Sequence, residues 1–549
     1  MSYQPGSDFE KYQPNKPSHQ PRPSAFFPLL FAVMLAIGVL LGYTIQPGGG
    51  TSGSFSSNNK LNSIINLIEK EYVDKVNPDE LTDKAISGML GELDPHSIYL
   101  SAKEVKLSNE DLSGSFGGVG IQFIIHEDTL MVTHLVPNGP AQQKGVQPFD
   151  RILMVDKKKF HGKGITIDKV FAALRGDLDS RVKLKIYRPK DKTTNDITVV
   201  RGIIPVPSID CAIMVSSQIG LIRISQFGEN TFADFLTEAR KLKGQGMKKL
   251  ILDLRDNGGG YLQAAENISD QFLANNVKIV YTKGQNQGRF DYVATATGEF
   301  EKMPLVVLVN HNSASASEIV AGAIQDNDRG AVVGRRTFGK GLVQQQFGAF
   351  NDGSALRLTV SRYYTPSGRC IQRPYGNGID YYHDGIDRYN NQEFYKPDSS
   401  KFVDSLKYKT LIKKRTVYGG GGIMPDVFVP LDTTFNTSFY ANVLDKNCVN
   451  TFAFKYTEKN LQKLMSISSP TKFNLNFIID EGIWSDFLSF CNRKGVSTPS
   501  SMEEERTKKW VSVLLKAEIA RLRYNSEGYF LVRMINDGEV KKSISSFWN

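Results

Sequence analysis

An unbroken apolar run, PLVVLVN at 304–310, is followed at once by a serine-rich turn and the helical pattern ASEIVAGAIQD at 316–326. A run that short and that apolar predicts a buried strand, so the junction sets up a strand–turn–helix unit of an α/β core. Ser315 stands in the turn with its hydroxyl at a helix N-terminus, where unpaired N–H groups favour developing negative charge. Serine alone is a poor nucleophile and needs a base within hydrogen-bond reach. The segment TFGKGLVQQ at 337–345 sets Lys340 between Gly339 and Gly341, 25 residues after the serine. Glycines on both sides let backbone and side chain approach closely. Serine with lysine as base is a variant of the serine–histidine arrangement. The pattern therefore predicts a serine hydrolase of the Ser–Lys type.

Two other readings fit parts of the same pattern. Small residues in SASAS also let a helix pack close to a sheet, and Lys340 could be a solvated loop lysine. Gly334, Gly339 and Lys340 nearly spell a phosphate-binding loop. Gly341 stands where that loop needs a Ser or Thr for magnesium, and LVQQQFGAF reads as a strand where the loop would open a helix. Nucleotide binding is not expected.

At 549 residues the chain is too long for one ordinary domain, and three or four units are expected. Hydrophobic content of 40% is ample for several cores. A net charge of +10 is modest for this length and reads as a solvated basic surface, with attraction to anionic lipid as the minor reading. No arginine-rich run points to nucleic acid. Cys211, Cys370, Cys448 and Cys491 are far apart, and neither a CxxC pair nor HExxH occurs. No disulfide framework, metal or cofactor is expected.

Residues 1–24, rich in Pro, Ser, Gln and charge, predict a disordered tail. Residues 25–45 give about 20 mostly apolar positions without a charge, enough for a transmembrane helix. Lys11, Lys16 and Arg22 precede them, which keeps the N-terminus in the cytoplasm and sends the rest across the membrane. No A-x-A site follows, so a single-pass uncleaved anchor is expected rather than a cleaved signal. In a bacterium this is an inner-membrane protein with its catalytic part in the periplasm. Residues 46–59 read as a flexible tether reaching roughly 45–50 Å when extended. From 60 to 105 the pattern is helical, with Leu61, Ile64, Ile65 and Ile68 on one face and a second helix starting near Pro78.

Residues 106–200 carry GGVGIQF, LVPNGPAQQKG, FDRILMVD, a short helix near IDKVFAALRG and the alternating strand VKLKIYR. That order resembles a PDZ domain, in which an extended peptide adds to a sheet edge and a glycine turn holds its terminal carboxylate. Val119, Gly120 and Ile121 would supply that turn, and Val170, Ala173 and Leu174 the side-chain groove. From 201 to 439 strands and helices alternate. KKLILDLRDNGGG at 248–260 is a strand ending in glycines before a helix, a place to present N–H groups to an oxyanion. Residues 440–549 are mainly helical, with Val511, Leu515, Ile519 and Leu522 in one stripe and Ser501 with Glu504 as a capping box.

Six segments in order, YVDKVNPDELTDKAISGMLGELDPHSIYL, GSFGGVGIQ, LILDLRDNGGG, NHNSASASEIVAGAIQD, TFGKGLVQ and LRLTVSRYYTPSGRCIQ, resemble the C-terminal processing peptidases, or tail-specific proteases. The likeness covers most of residues 60–435. It implies an α+β multidomain protein with a crotonase-like α/β protease core, an inserted PDZ domain, an N-terminal transmembrane helix and a helical C-terminal extension outside the likeness. It makes Ser315 the nucleophile, Lys340 the general base and Gln344 the residue that orients the lysine amine. The oxyanion donors would be the N–H of Ala316 and one from Gly259 or Gly260. Many members carry a proline before that glycine pair; Gly258 stands there in this chain, which leaves the donating glycine open.

A lysine base must be neutral, whereas its free pKa is about 10.4. Burial lowers it, and Phe338, Leu342 and Val343 are apolar neighbours in sequence. His311 is a weaker candidate for the base, and His96 reads as structural. The expected partners are protein substrates with free, apolar C-terminal tails and, through the anchor, a membrane. A homo-oligomer or regulation by an adaptor is compatible with the chain. The alternative function is a tail-binding scaffold without catalysis, against which the intact Ser315, Lys340 and Gln344 argue.

Overall fold

The computed structural model describes residues 26–44, 60–348, 350–376, 381–397 and 403–547. The tail expected over 1–24 and the tether over 46–59 lie outside the described residues. Residues 1–84 and 85–549 form two compact units. The first holds the helices Phe26–Thr44 and Lys60–Glu71 and the start of Pro78–Gly91. Pro78 opens that last helix at a position that needs no N–H donor, and Asn77 accepts from the Asp79 N–H at 3.1 Å.

Among the described residues no helix is long and apolar enough to cross a membrane. An α-helix does form over Phe26–Thr44. Its described side chains, Leu30 to Val39, are all exposed. The run expected as a transmembrane helix over 25–45 forms a helix over Phe26–Thr44.

The second unit is built on a six-stranded sheet in the order Ile209–Met214, Ile219–Ile224, Lys249–Asp253, Leu305–Val309, Ala331–Gly334, Val427–Phe428. Its first pair is antiparallel and the others are parallel. Successive side chains point to opposite faces of a strand, and both faces are covered here. Ile222, Leu250, Leu252 and Val307 pack with residues of the helices Thr231–Gly244, Leu262–Asp270 and Ala316–Asp326. Leu221, Ile251, Val306 and Leu308 pack instead against Leu531, Met534 and Val540 from the end of the chain. The C-terminal region is therefore a layer of the core. This explains why Leu305–Val309 is buried at every position, as strands covered on both sides are.

A second, antiparallel sheet centres on Ala355–Tyr364, which pairs with Ile98–Leu100, Lys278–Lys283 and Leu342–Phe347. The segment carrying Lys340 crosses from the first sheet to this one. Strands Ser115–Gly118 and Gly202–Pro205 pair as a two-stranded ribbon. Beyond it lies an antiparallel sheet running through Ile121–His126, Thr129–Leu135, Arg151–Val155, Arg181–Arg188 and Thr193–Val200, with the helix Ile167–Leu174. The boundary expected at 106 falls inside the helix Ala102–Ser113, which ends at Gly114 with φ 68°.

The C-terminal helices run from Ser438–Asp445 to Gly538–Ile544. Val511, Leu515 and Ile519 are fully buried and Leu522 packs in the cluster that holds Ile519. The capping box at the start of the helix Ser501–Asn536 is Ser500 with Glu503, one residue earlier than expected. Tandem serines before a run of glutamates make the register ambiguous, and Glu504 is taken by the Trp484 Nε1–H at 2.6 Å. The helix breaks at Tyr524 and Asn525, whose φ/ψ are not helical.

Candidate active site

Ser315 sits directly before the helix Ala316–Asp326 with φ 56° and ψ −115°. A non-glycine residue in such a region is strained by about 1–3 kcal/mol and persists only where its surroundings over-determine it. Glu318, fully buried one turn into the helix, does much of this. Its Oε2 accepts the Ser315 N–H at 2.9 Å and the Lys340 N–H at 2.8 Å. Its Oε1 accepts the Gly339 N–H at 2.8 Å and the Thr337 hydroxyl at 2.5 Å. One carboxylate thus ties the serine turn to the lysine loop. Burial pushes the Glu318 pKa up, while its four donors pull the other way.

The three serines of SASAS are sharply different. Ser313 is buried and donates its hydroxyl to Leu254 O at 2.8 Å. Ser317 is buried and donates to Asn257 O at 2.9 Å. Ser315 is half-buried and lines a cavity of about 690 Å³. Lys340, Gln344, Ala316 and Gly258, Gly259 and Gly260 line the same cavity.

Lys340 is held by its backbone, through Glu318 and through the Tyr363 hydroxyl, which lies 2.6 Å from Lys340 O and 3.1 Å from Ser315 O. Its amine is pushed down to about 8, first by burial and then by the Arg357 guanidinium, with Glu318 and Asp94 opposing. Of the apolar neighbours named from sequence, Leu342 and Val343 line the cavity. Phe338 instead lies under the Arg373 guanidinium, 3.8 Å from its ring centroid. Gln344 stands four residues on, in the strand Leu342–Phe347, and donates to Thr359 Oγ1 at 3.4 Å. The Thr359 hydroxyl in turn donates to Asp94 at 3.0 Å.

The glycine loop after Asp253 is fixed by Asn257. Asn257 O accepts the Ala314 N–H at 3.0 Å, and Asn257 Oδ1 accepts the Gly259 N–H at 2.8 Å. Gly259 lies against the Ser315 turn: a Cβ there would be 2.7 Å from Ser315 Cβ. Among the described residues the N–H groups of Gly260 and Ala316 have no intramolecular partner. His311 packs on Phe394 at 4.6 Å, its pKa lowered by burial and by Arg335 and Arg388, and it does not line the cavity. His96 is lowered to about 4 by burial and bonds the Tyr381 hydroxyl at 3.0 Å. Among the described residues no group of three His, Cys, Asp or Glu is placed to hold a metal.

In the small domain Gly120 has φ 77°, and the N–H groups of Val119 and Gly120 have no intramolecular partner among the described residues. Ile121 opens the strand facing the helix. Val170 and Leu174 turn into the domain core and Ala173 packs at its edge. The large apolar side chains exposed on that helix are Ile167 and Phe171, and Phe171 meets Phe123 of the strand at 5.6 Å between ring centroids.

Sequence reading missed Glu318, Asn257, Tyr363 and Asp94. Only Glu318 left a local signal, the S-x-x-E spacing with Ser315; the others join residues 23 to 265 positions apart.

Comparison with known proteins places these features. The pattern of Peptidase family S41 matches residues 218–381, that of a PDZ domain residues 117–199, and that of the activating protease CtpB N-terminal domain residues 46–104. A family of unknown function matches residues 439–525. A carboxy-terminal-processing protease of Bartonella bacilliformis is 37% identical over 335 residues, 58% of this chain and 75% of the relative. A probable CtpA-like serine protease of Staphylococcus aureus is 32% identical over 386 residues, 70% of this chain and 72% of the relative. A solved structure of the photosystem II D1 C-terminal processing protease is 26% identical, covering 68% of this chain and 94% of that one, with a TM-score of 0.34. The class is thus that of serine-type peptidases carrying a PDZ domain. Within it the chain belongs to the carboxy-terminal-processing protease family.

Proposed function

We propose that this chain is a membrane-anchored endopeptidase that binds free C-terminal tails through its PDZ domain and cuts peptide bonds with Ser315 and Lys340. The observation that carries the dyad is that Ser315, of the three serines, opens on a cavity shared with a lysine whose amine is pushed down to about 8. Ser315 Oγ attacks the scissile carbonyl while Lys340 Nζ takes its proton, and Gln344 orients the amine. The N–H groups of Ala316 and Gly260 receive the oxyanion; Gly259, whose N–H is engaged by Asn257, supplies close approach instead. Lys340 then returns the proton to the leaving amine, and water releases the acyl group. Val119, Gly120 and Ile121 present N–H groups to the tail carboxylate, with Ile167, Phe171 and Phe123 facing its side chains. The apolar run at 25–45 is the proposed anchor, with the protease on the periplasmic side of a bacterial inner membrane.

Ser315→Ala and Lys340→Ala each abolish hydrolysis of an unstructured protein with a free apolar tail, with the far-ultraviolet circular dichroism unchanged. Retained hydrolysis in Ser315→Ala removes the dyad. Binding of the tail without any hydrolysis by the unaltered chain would favour the scaffold reading.

A further inference from the structure

Arg255 and Arg335 are buried, at 7% and 5% exposure, and stand at the roots of the two loops that converge on Ser315. Arg255 opens the segment that ends at Gly260, and Arg335 opens the one that ends at Lys340. Arg255 gives Nε and Nη2 to Asp253 at 2.9 and 2.7 Å. Its Nη1 goes to Asp537 Oδ2 and Glu539 Oε2, both at 2.8 Å. Glu539 Oε1 accepts from Arg335, and among the described residues it is the one carboxylate paired with that arginine. One carboxylate near the end of the chain therefore joins the roots of the oxyanion loop and the lysine loop. The Arg335 N–H bonds Val309 O at 3.1 Å, on the strand that leads to the serine.

We propose that Asp537 and Glu539 are positioning residues of the active site, which makes the helical C-terminal region part of the catalytic framework. Their own placement is rigid. Asp537 Oδ1 caps the last helix, accepting the Glu539 and Val540 N–H groups at 2.7 and 3.1 Å. Val540 is buried against the central sheet. A buried guanidinium that loses its carboxylate is left uncompensated. Without Glu539, Arg255 still holds Asp253 and Asp537, whereas Arg335 keeps only the Val429 carbonyl at 3.2 Å. The root of the lysine loop then shifts toward other partners and loses its tie to the oxyanion loop. Reacting groups displaced by a fraction of an ångström lose rate, while a tail bound on the PDZ domain is untouched.

The inference rests on the Ser315–Lys340 reading. Its test is the steady-state kinetics of the full chain on a protein with a free unstructured tail, with thermal unfolding measured alongside. Glu539→Gln lowers kcat by about 10- to 100-fold, leaves KM within about twofold, and slows labelling of Ser315 by a fluorophosphonate in parallel. Glu539→Asp recovers part of kcat, and Asp537→Asn, which keeps the Glu539 bridge, loses less than Glu539→Gln. A folded Glu539→Gln with unchanged kcat, or with its whole loss in KM, overturns the inference. Should Glu539→Gln not fold, Asp537→Asn decides alone, and unchanged kcat in it overturns the inference. Hydrolysis retained by Ser315→Ala would instead overturn the dyad on which the inference rests.

Discussion

At the scale of single residues, the proposed Ser315–Lys340 chemistry turns on the charge of Lys340. The amine must be neutral to accept the Ser315 proton, and its pKa is pushed down to about 8. The rate therefore rises with pH through that value, and kcat/KM on a tail-bearing substrate has its ascending limb near pH 8. Arg357, which lines the cavity and bonds Ser108 Oγ at 2.8 Å, depresses the amine further. Arg357→Gln moves the limb to higher pH, so activity at pH 7 falls and returns at pH 9; an unmoved limb would assign it to another group. The same shift has a cost in stability. Between pH 8 and 10.5 the unfolded lysine holds a proton that the folded one has shed, so stability rises with pH across that window. At pH 7 the charged, buried amine works against folding by up to about 3 kcal/mol, on the scale of 1.36 kcal/mol per pKa unit. Lys340→Met removes that penalty at similar side-chain length. The inactive variant melts higher than the active chain at pH 7, and the gap closes by pH 10.5.

At the scale of elements, the glycine loop contrasts two neighbours. Gly258 is exposed, and an added Cβ meets nothing within 4 Å. Gly259 has φ 106°, and its added Cβ would press on Ser315 Cβ and on Ala314 O at 3.0 Å. Gly258→Ala keeps full activity and gains about 0.4–1 kcal/mol by restricting the unfolded chain, whereas Gly259→Ala loses activity through the displaced turn. Equal activities in the two variants would show that Gly259 does not brace Ser315. The strand–turn–helix around Ser315, the lysine loop and the glycine loop were legible in sequence because each is a contiguous motif with its own period. Asn257 and Tyr363 were not, since their roles come from pairing with residues far away in the chain. The PDZ helix shows a third case. Val170 and Leu174, four residues apart, made an apolar face, but so do Ile167 and Phe171, and only packing decides which pair turns inward. The coverage of the sheet by Leu531, Met534 and Val540 was hidden for the same reason, although the apolar stripe of the preceding helix was visible.

At the scale of the whole molecule, the C-terminal region touches both the protease core and the PDZ domain. Phe454 packs on the rings of His126 and Phe149 at 5.6 and 5.3 Å. Lys455 pairs with Glu127 at 2.6 Å and Glu458 with Arg151 at 3.7 Å, and the His134 ring lies beside the backbone of Arg521 and Leu522. Surface pairs of this kind contribute little singly, so the buried rings and histidines carry most of the contact. Burial, and then the Arg521 charge, lower His134 to about 4. His126 is lowered as well, by burial first, with Glu127 opposing and Lys455, Lys494 and Arg151 adding to the lowering. Both imidazoles are neutral at pH 7. As pH falls from 6.5 towards 4 the unfolded or undocked His134 takes up a proton that the docked one resists, so the contact loses stability across that window. The loss reaches about 3 kcal/mol for His134. Contacts between domains of one chain resemble transient interfaces, so a loss of that size is a large share of their stability. Acid should therefore release the PDZ domain from the helices before the core unfolds. In hydrogen exchange at pH 5, after correction for intrinsic rates, segments 126–135, 454–458 and 519–524 open faster than at pH 7, while the strand Leu305–Val309 is unchanged. His134→Gln, which cannot take up the proton, flattens that difference. Acceleration of all segments together would mean that acid unfolds the chain globally and that the histidines do not gate this contact.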